Sequence, residues 1–205
     1  MAQNGKRLIG VKAKAPIYLI EHGQTDFDTE HRVHGKVDEP LNDTGRKQAH
    51  SLGVRLQSMA KPPDVIYASD RKRARETAHI ASRVSGIPVK LAPELRPLNV
   101  GNFSGQNEGQ VAEKLRPYFA APFRTIPGGE NVSGWRARHR GFVRKVAQES
   151  AEKGIRPAFL THSNVIGDLM AKAAGGEDGR EAMANPPKNG SMVRIHYPIG
   201  IPRRG

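Results

Sequence analysis

Three short apolar runs stand out in this chain, and each ends in residues able to do chemistry. Ile17-Tyr18-Leu19-Ile20 passes into Glu21-His22-Gly23-Gln24-Thr25. Val65-Ile66-Tyr67-Ala68 passes into Ser69-Asp70, then Arg71-Lys72-Arg73-Ala74-Arg75. Ala158-Phe159-Leu160-Thr161 passes into His162-Ser163-Asn164. Near-continuous hydrophobicity marks strands of a parallel sheet covered on both faces. Helical spacing separates the runs. Asn42 is placed to cap a helix with Ala49, Leu52, Leu56 and Met59 on one face, stopped by Pro62-Pro63. Ser69-Asp70 is placed to cap a second, with Ala74, Thr77, Ala78, Ala81 and Val84 inward and Gly86 closing it. Thr25 and Asp26 offer caps after the first strand. Val111, Leu115, Tyr118 and Phe119 mark a third helix, and Trp135, Phe142, Val143 and Val146 a fourth. Val165, Ile166, Leu169 and Met170 mark a last one, ended by Gly175-Gly176. Shorter strands are expected at 89–91 and 192–196. The alternation predicts an α/β three-layer sandwich, a mostly parallel central sheet with helices on both faces. Residues 17–205 are expected to form a single domain. A loose basic leader, 1–16, precedes it, with a short pairing segment at 8–11. The glycine-punctuated stretch 93–130 reads as an excursion over the sheet edge, where lids lie.

In a parallel sheet all strand-to-helix turns share the carboxyl edge, where open α/β sheets place ligands. His22, Arg73 and His162 each follow a different strand and therefore converge there. One such histidine alone would read as a packed turn residue. Two histidines and an arginine from three turns suit phosphoryl transfer: neutral imidazole as nucleophile, a guanidinium fork on the phosphoryl oxygens, a second histidine stabilising charge. Gln24, Thr25 and Asn164 lie close enough in sequence to add hydrogen bonds. His31 and His34 read as loop histidines at the mouth of the site rather than metal ligands.

Lysine and arginine exceed aspartate and glutamate to give a formal charge of +13, which favours anionic partners. A phosphorylated small molecule or a phosphoprotein fits. Nucleic acid, through residues 71–75 and 136–145, is the weakest of the anionic readings, because aromatic residues are only 5%. The chain has no cysteine, so disulfides and thiolate zinc sites are excluded. No apolar run approaches membrane-spanning length and no signal-peptide core is present, so a cytoplasmic protein with no membrane attachment is expected. No metal or cofactor is called for.

These motifs resemble the histidine phosphatase superfamily, on its phosphoglycerate-mutase-like branch. That family opens with a strand and Arg-His-Gly, a polar residue and Thr; here this reads Glu21-His22-Gly23-Gln24-Thr25. Gly35, Asp38, Pro40, Leu41, Gly45, Gln48 and Ala49 fit its next motif. Ser69, Arg73, Ala74, Thr77 and Ala78 fit the following one, Gly128-Gly129-Glu130 matches a further one, and His162 matches the second histidine. The resemblance implies a phosphohistidine on His22, with Arg73 and His162 holding phosphate, and no metal.

Two positions depart. The arginine before the nucleophile is Glu21, and the acid of the pattern kept by Leu95, Gly101 and Gly105 is Pro97. Two unit charges ~4 Å apart at an effective dielectric of ~20 interact by ~4 kcal/mol, and loss of a general acid removes ~10²–10⁴-fold in rate. Glu21 is expected to pair with Arg73 and to favour the imidazolium of His22. Arg71 is the preferred replacement cation, ahead of Arg32, Arg96 and Arg124; Glu94 and Glu108 are the replacement acids. Two readings follow: a phosphomonoester hydrolase of weakened activity, or a catalytically silent relative that binds a phosphorylated ligand or partner.

Overall fold

The computed structural model describes residues 14–176 and 187–199. Strand β1 (Lys14–Glu21) starts inside the expected leader, because Ala15 is buried and pairs with the last strand. The rest of the leader, with its expected pairing segment at 8–11, lies outside the described residues. After β1 come α1 (Asp26–Thr29), α2 (Asp43–Ser58), β2 (Val65–Ala68), α3 (Lys72–Ser85) and β3 (Val89–Leu91). Then follow α4 (Glu108–Ala120), α5 (Val132–Glu152), β4 (Pro157–Thr161), α6 (Ser163–Ala173) and β5 (Met192–Pro198). The five strands order as β3-β2-β4-β1-β5, all parallel except β5, which runs antiparallel to β1. Strand β5 is longer than the expected 192–196 because its pairing with β1 continues to Lys14↔Pro198.

Side chains alternate along β1 and so supply two cores. Tyr18 and Ile20 join Leu52 and Leu56 of α2 and Ala74, Ala78 and Ala81 of α3. Ile17 and Leu19 join Val143 and Val146 of α5 and Val165, Ile166 and Leu169 of α6 on the other side. Helices therefore cover both faces of a mostly parallel sheet. Met170, expected inward, is 38% exposed, one position past the buried stripe. Among the described residues no helix is long and apolar enough to cross a membrane.

The caps decide where the turns point. Asn42 caps α2 through its side chain, accepting from the N–H of Gly45 at 2.9 Å. Thr25 caps α1 in a reciprocal pair with Asp28. Helix α3 ends at Gly86 in the left-handed region (φ 75). Its start is not as expected. The N-cap is Arg71, with no side-chain cap, because Ser69 is drawn to His162 and Asp70 to Arg96.

Gly45 is set by close approach rather than by its backbone angles. A Cβ there would lie 2.1 Å from the carbonyl oxygen of Gln24 and 2.8 Å from its nitrogen. The backbone N–H of Asn42 donates to that same carbonyl at 3.0 Å, and Gln48 Oε1 accepts from the Gln24 N–H at 2.8 Å. The first turn of α2 thus clamps the turn that follows His22. Gly45→Ala is expected to cost ~1–3 kcal/mol by overpacking and to lower activity as well, because the displaced segment carries His22, the nucleophile that the sequence leads one to expect. A denaturant midpoint unchanged from the parent protein would refute the clamp.

Candidate active site

The carboxyl edge of β1, β2 and β4 brings His22, Arg73 and His162 together. Arg73, on the first turn of α3, is 1% exposed and reaches both histidines. Its Nε lies 3.1 Å from His22 Nε2 and its Nη2 3.1 Å from His162 Nδ1. The two imidazole centroids are 5.2 Å apart. The three side chains line one cavity of about 150 Å³.

The hydrogen bonds fix the tautomers. A guanidinium only donates, so His22 Nε2 and His162 Nδ1 are acceptors. His22 Nδ1 donates to the carbonyl of Gly23 at 2.8 Å, and His162 Nε2 donates to Ser69 Oγ at 2.9 Å. His22 therefore presents a lone pair at Nε2. Burial, and then the charge of Arg73, push both histidines well below the usual imidazole range. Burial also lowers Arg73 to about 10.

This corrects the expected effect of Glu21. Its side chain is buried and faces the nucleophile, with Oε1 3.1 Å from His22 Nε2. It forms no ion pair with Arg73, which it influences only through space. A carboxylate oxygen against an imidazole lone pair is repulsive, whereas a carboxyl O–H there donates. Burial first, then the charge of Asp28, push the Glu21 carboxyl well above the usual range, in the same direction. Both shifts favour a neutral carboxyl beside a neutral imidazole over a carboxylate holding an imidazolium. The Nε2 of His22 thus faces both Arg73 Nε and Glu21 Oε1.

Other positions scatter. Gln24 turns away, accepting from Asn42 Nδ2 at 3.2 Å. Thr25 is fully buried and spent on Asp28 and on the His34 ring, at 2.8 Å from its Nε2. Asn164 lines the cavity, and its Oδ1 is buried without a partner. His34 lines it too, held to about 3 by burial and Arg73, while His31 is exposed at a positive φ of 52. Arg71 does not enter the cavity. It lines a neighbouring cleft with Glu94, separated by Pro97, which both share. Arg32 stacks over Phe27, Arg96 pairs with Asp70, and Arg124 lies over Tyr118. Among the described residues Arg73 is the cation that lines the cavity. The basic run is accordingly not one surface: Lys72 and Arg75 face solvent while Arg73 points inward.

Of the replacement acids, Glu108 at the start of α4 lines the cavity, and Glu94 does not. Burial, and then the charge of Asp28, raise its carboxyl. Asp28 is a further member of the lining that sequence reasoning did not single out, and Ser69, expected as a cap, instead holds the His162 ring. The spacing Thr25-x-x-Asp28 signalled a helix start but not that its acid faces the cavity. No group of three or more His, Asp or Glu able to hold a metal occurs among the described residues.

Two buried imidazoles and a guanidinium around one small cavity, at the carboxyl edge of a largely parallel sheet, make an arrangement whose chemistry suits an oxyanion such as a phosphoryl group. The chain belongs to the histidine phosphatase superfamily (branch 1), whose family model matches residues 17–201. It is 30% identical over 186 residues to a probable phosphoglycerate mutase GpmB of Photorhabdus laumondii, covering 88% of this chain and 84% of that one. It is 31% identical over 157 residues to a metal-independent phosphoserine phosphatase of Arabidopsis thaliana, covering 73% and 65%. Among solved structures, a mycobacterial glucosyl-3-phosphoglycerate phosphatase complexed with VO3 shares the fold. Its TM-score is 0.71 at 24% identity, covering 88% of this chain and 92% of that one.

Proposed function

We propose that this protein hydrolyses small phosphomonoesters through a phosphoryl group carried on His22, at a rate held down by Glu21. The observation that carries this reading is the His22 Nε2 lone pair 3.1 Å from Arg73 Nε, with His162 on the other arm of the guanidinium. Arg73 holds the phosphoryl oxygens and neutralises charge that builds there. Nε2 attacks phosphorus and the ester P–O bond breaks. The departing oxygen takes a proton from Glu108, whose carboxyl is shifted upward by burial and by the charge of Asp28. Water then attacks phosphorus, gives its proton to the Glu108 carboxylate, and the P–N bond breaks to release phosphate and restore His22. Arg73 Nε and Glu21 must both release Nε2 before the first step, the guanidinium turning its N–H groups to the phosphoryl oxygens.

That same contact of Glu21 with Nε2 favours the second reading, a silent protein that binds phosphorylated ligands. Rapid quench with an aryl phosphate separates the two. A base-stable phosphoprotein that disappears in His22→Ala supports the hydrolase. Binding of phosphate with no aryl alcohol released supports the silent protein, and label surviving in His22→Ala removes His22 from the chemistry. In single-turnover phosphorylation of His22, Glu108→Gln is expected to slow alkyl phosphates by ~10²–10³-fold and aryl phosphates far less, because a good leaving group needs no proton. Equal slowing of that step for both would exclude Glu108 as the donor; the later hydrolysis, where Glu108 is the base, slows alike for both.

A further inference from the structure

The cavity holds more acceptors than a phosphate ester can use. Asp28 and Glu108 both line it, against the single guanidinium of Arg73. Asp28 is anchored through one oxygen only. Its Oδ2 accepts from Thr25 N at 2.8 Å, Thr25 Oγ1 at 3.0 Å and Asn189 Nδ2 at 3.3 Å. Its Oδ1 carries no hydrogen bond among the described residues, with His34 Nε2 4.0 Å away. Asn164 Oδ1, lining the same cavity, is buried without a donor. A phosphoryl group brings oxygen acceptors and negative charge, so it leaves the Asp28 carboxylate unsatisfied. An ammonium brings three N–H donors and a positive charge.

We infer that the substrate is a small phosphomonoester whose organic part carries an ammonium group, received by Asp28 Oδ1 while Arg73 holds the phosphoryl end. Asp28 is thereby the residue that selects the substrate. The inference rests on the hydrolase reading above and narrows it. Size agrees: about 150 Å³ is below the ~300–1,000 Å³ typical of drug-sized ligands. Charge agrees as well. Asp28 pushes up the carboxyls of Glu21, Glu39 and Glu108, and a cation bound beside it relieves that like-charge crowding.

The test compares O-phosphoethanolamine with 2-hydroxyethyl phosphate, nearly isosteric but without the cation, and with phosphoglycolate, which is anionic there. At neutral pH kcat/KM is expected to favour the amine over the hydroxyl ester by roughly 10²-fold, with phosphoglycolate poorest. Asp28→Asn, which keeps an oxygen for the Thr25 cap, is expected to collapse the amine-to-hydroxyl ratio at least tenfold. Equal kcat/KM for amine and hydroxyl esters, or preference for phosphoglycolate, overturns the proposal. A ratio unchanged in Asp28→Asn overturns the role of Asp28. If no ester is turned over, p-nitrophenyl phosphate included, the hydrolase reading fails separately. Calorimetric binding of the same three esters then decides this one: tighter binding of the amine supports it, and equal binding overturns it.

Discussion

Glu21→Arg is expected to raise kcat/KM for an aryl phosphate by about 10²–10³-fold. The substitution removes the donor that occupies His22 Nε2 at 3.1 Å and puts a cation where negative charge builds. A charge change at ~4 Å and an effective dielectric of ~20 is worth ~4 kcal/mol at most, which sets the upper end of that range. Because the position is 2% exposed, Glu21→Gln serves as the size-matched reference. Its use is the pH profile. Below its raised pKa the Glu21 carboxyl is neutral, and above it a carboxylate faces both the nucleophile and the incoming phosphate. Parent activity therefore falls as pH rises through that value, and Glu108 acts in the same direction by losing the proton it donates. Glu21→Gln should keep only the limb due to Glu108. Stability follows the same sign. The folded form holds the Glu21 proton above the unfolded value of 4.5, so that contribution is complete below about 4.5 and is lost as pH rises through the folded value. Melting temperature should fall less between pH 5 and pH 8 in Glu21→Gln than in the parent. If Glu21→Arg folds and gains nothing, Glu21 is not the brake. Adding Pro97→Glu should gain little more, since the proposed mechanism already draws its proton from Glu108.

Asp168→Ala is expected to destabilise the fold by ~3–5 kcal/mol, the usual result of stripping one partner from a buried charge cluster. Asp168 is fully buried on α6. It accepts from Arg136 Nε at 3.0 Å, Arg140 Nε at 2.6 Å and Nη2 at 2.7 Å, and lies 2.8 Å from His139 Nε2. Burial pushes this carboxyl up, but the hydrogen bonds from His139 and Arg140 outweigh it and hold the group at about 2. The network fastens α5 to α6, the helix that begins beside His162. At ~2–4 °C per kcal/mol for a chain of this size, thermal unfolding should move down by about 10 °C. A shift of a degree or two would show that the cluster is dispensable.

The architecture was legible because it rests on local rules. The three apolar runs became β1, β2 and β4, Asn42 and Gly86 took the caps their residue types favour, and His22, Arg73 and His162 met because parallel strands deliver their turns to one edge. The near-continuous run of β1 reads as covered on both faces, and its alternate side chains join two cores. Misreadings came where a side chain had competing partners. Ser69 and Asp70 left the cap of α3 for His162 and Arg96, a choice made by residues far along the chain.

Residue order alone determined the sheet, its helices and the edge where two imidazoles and a guanidinium meet, because hydrophobic period and turn chemistry act over a few residues. Tertiary structure decided the upward shift of the Glu21 carboxyl, the turning of Arg71 into the next cleft, and the arrival of Asp28 and Glu108 in the cavity. Those depend on burial and on charges brought close from distant parts of the chain, and neither is a property of a residue's type or its neighbours in sequence.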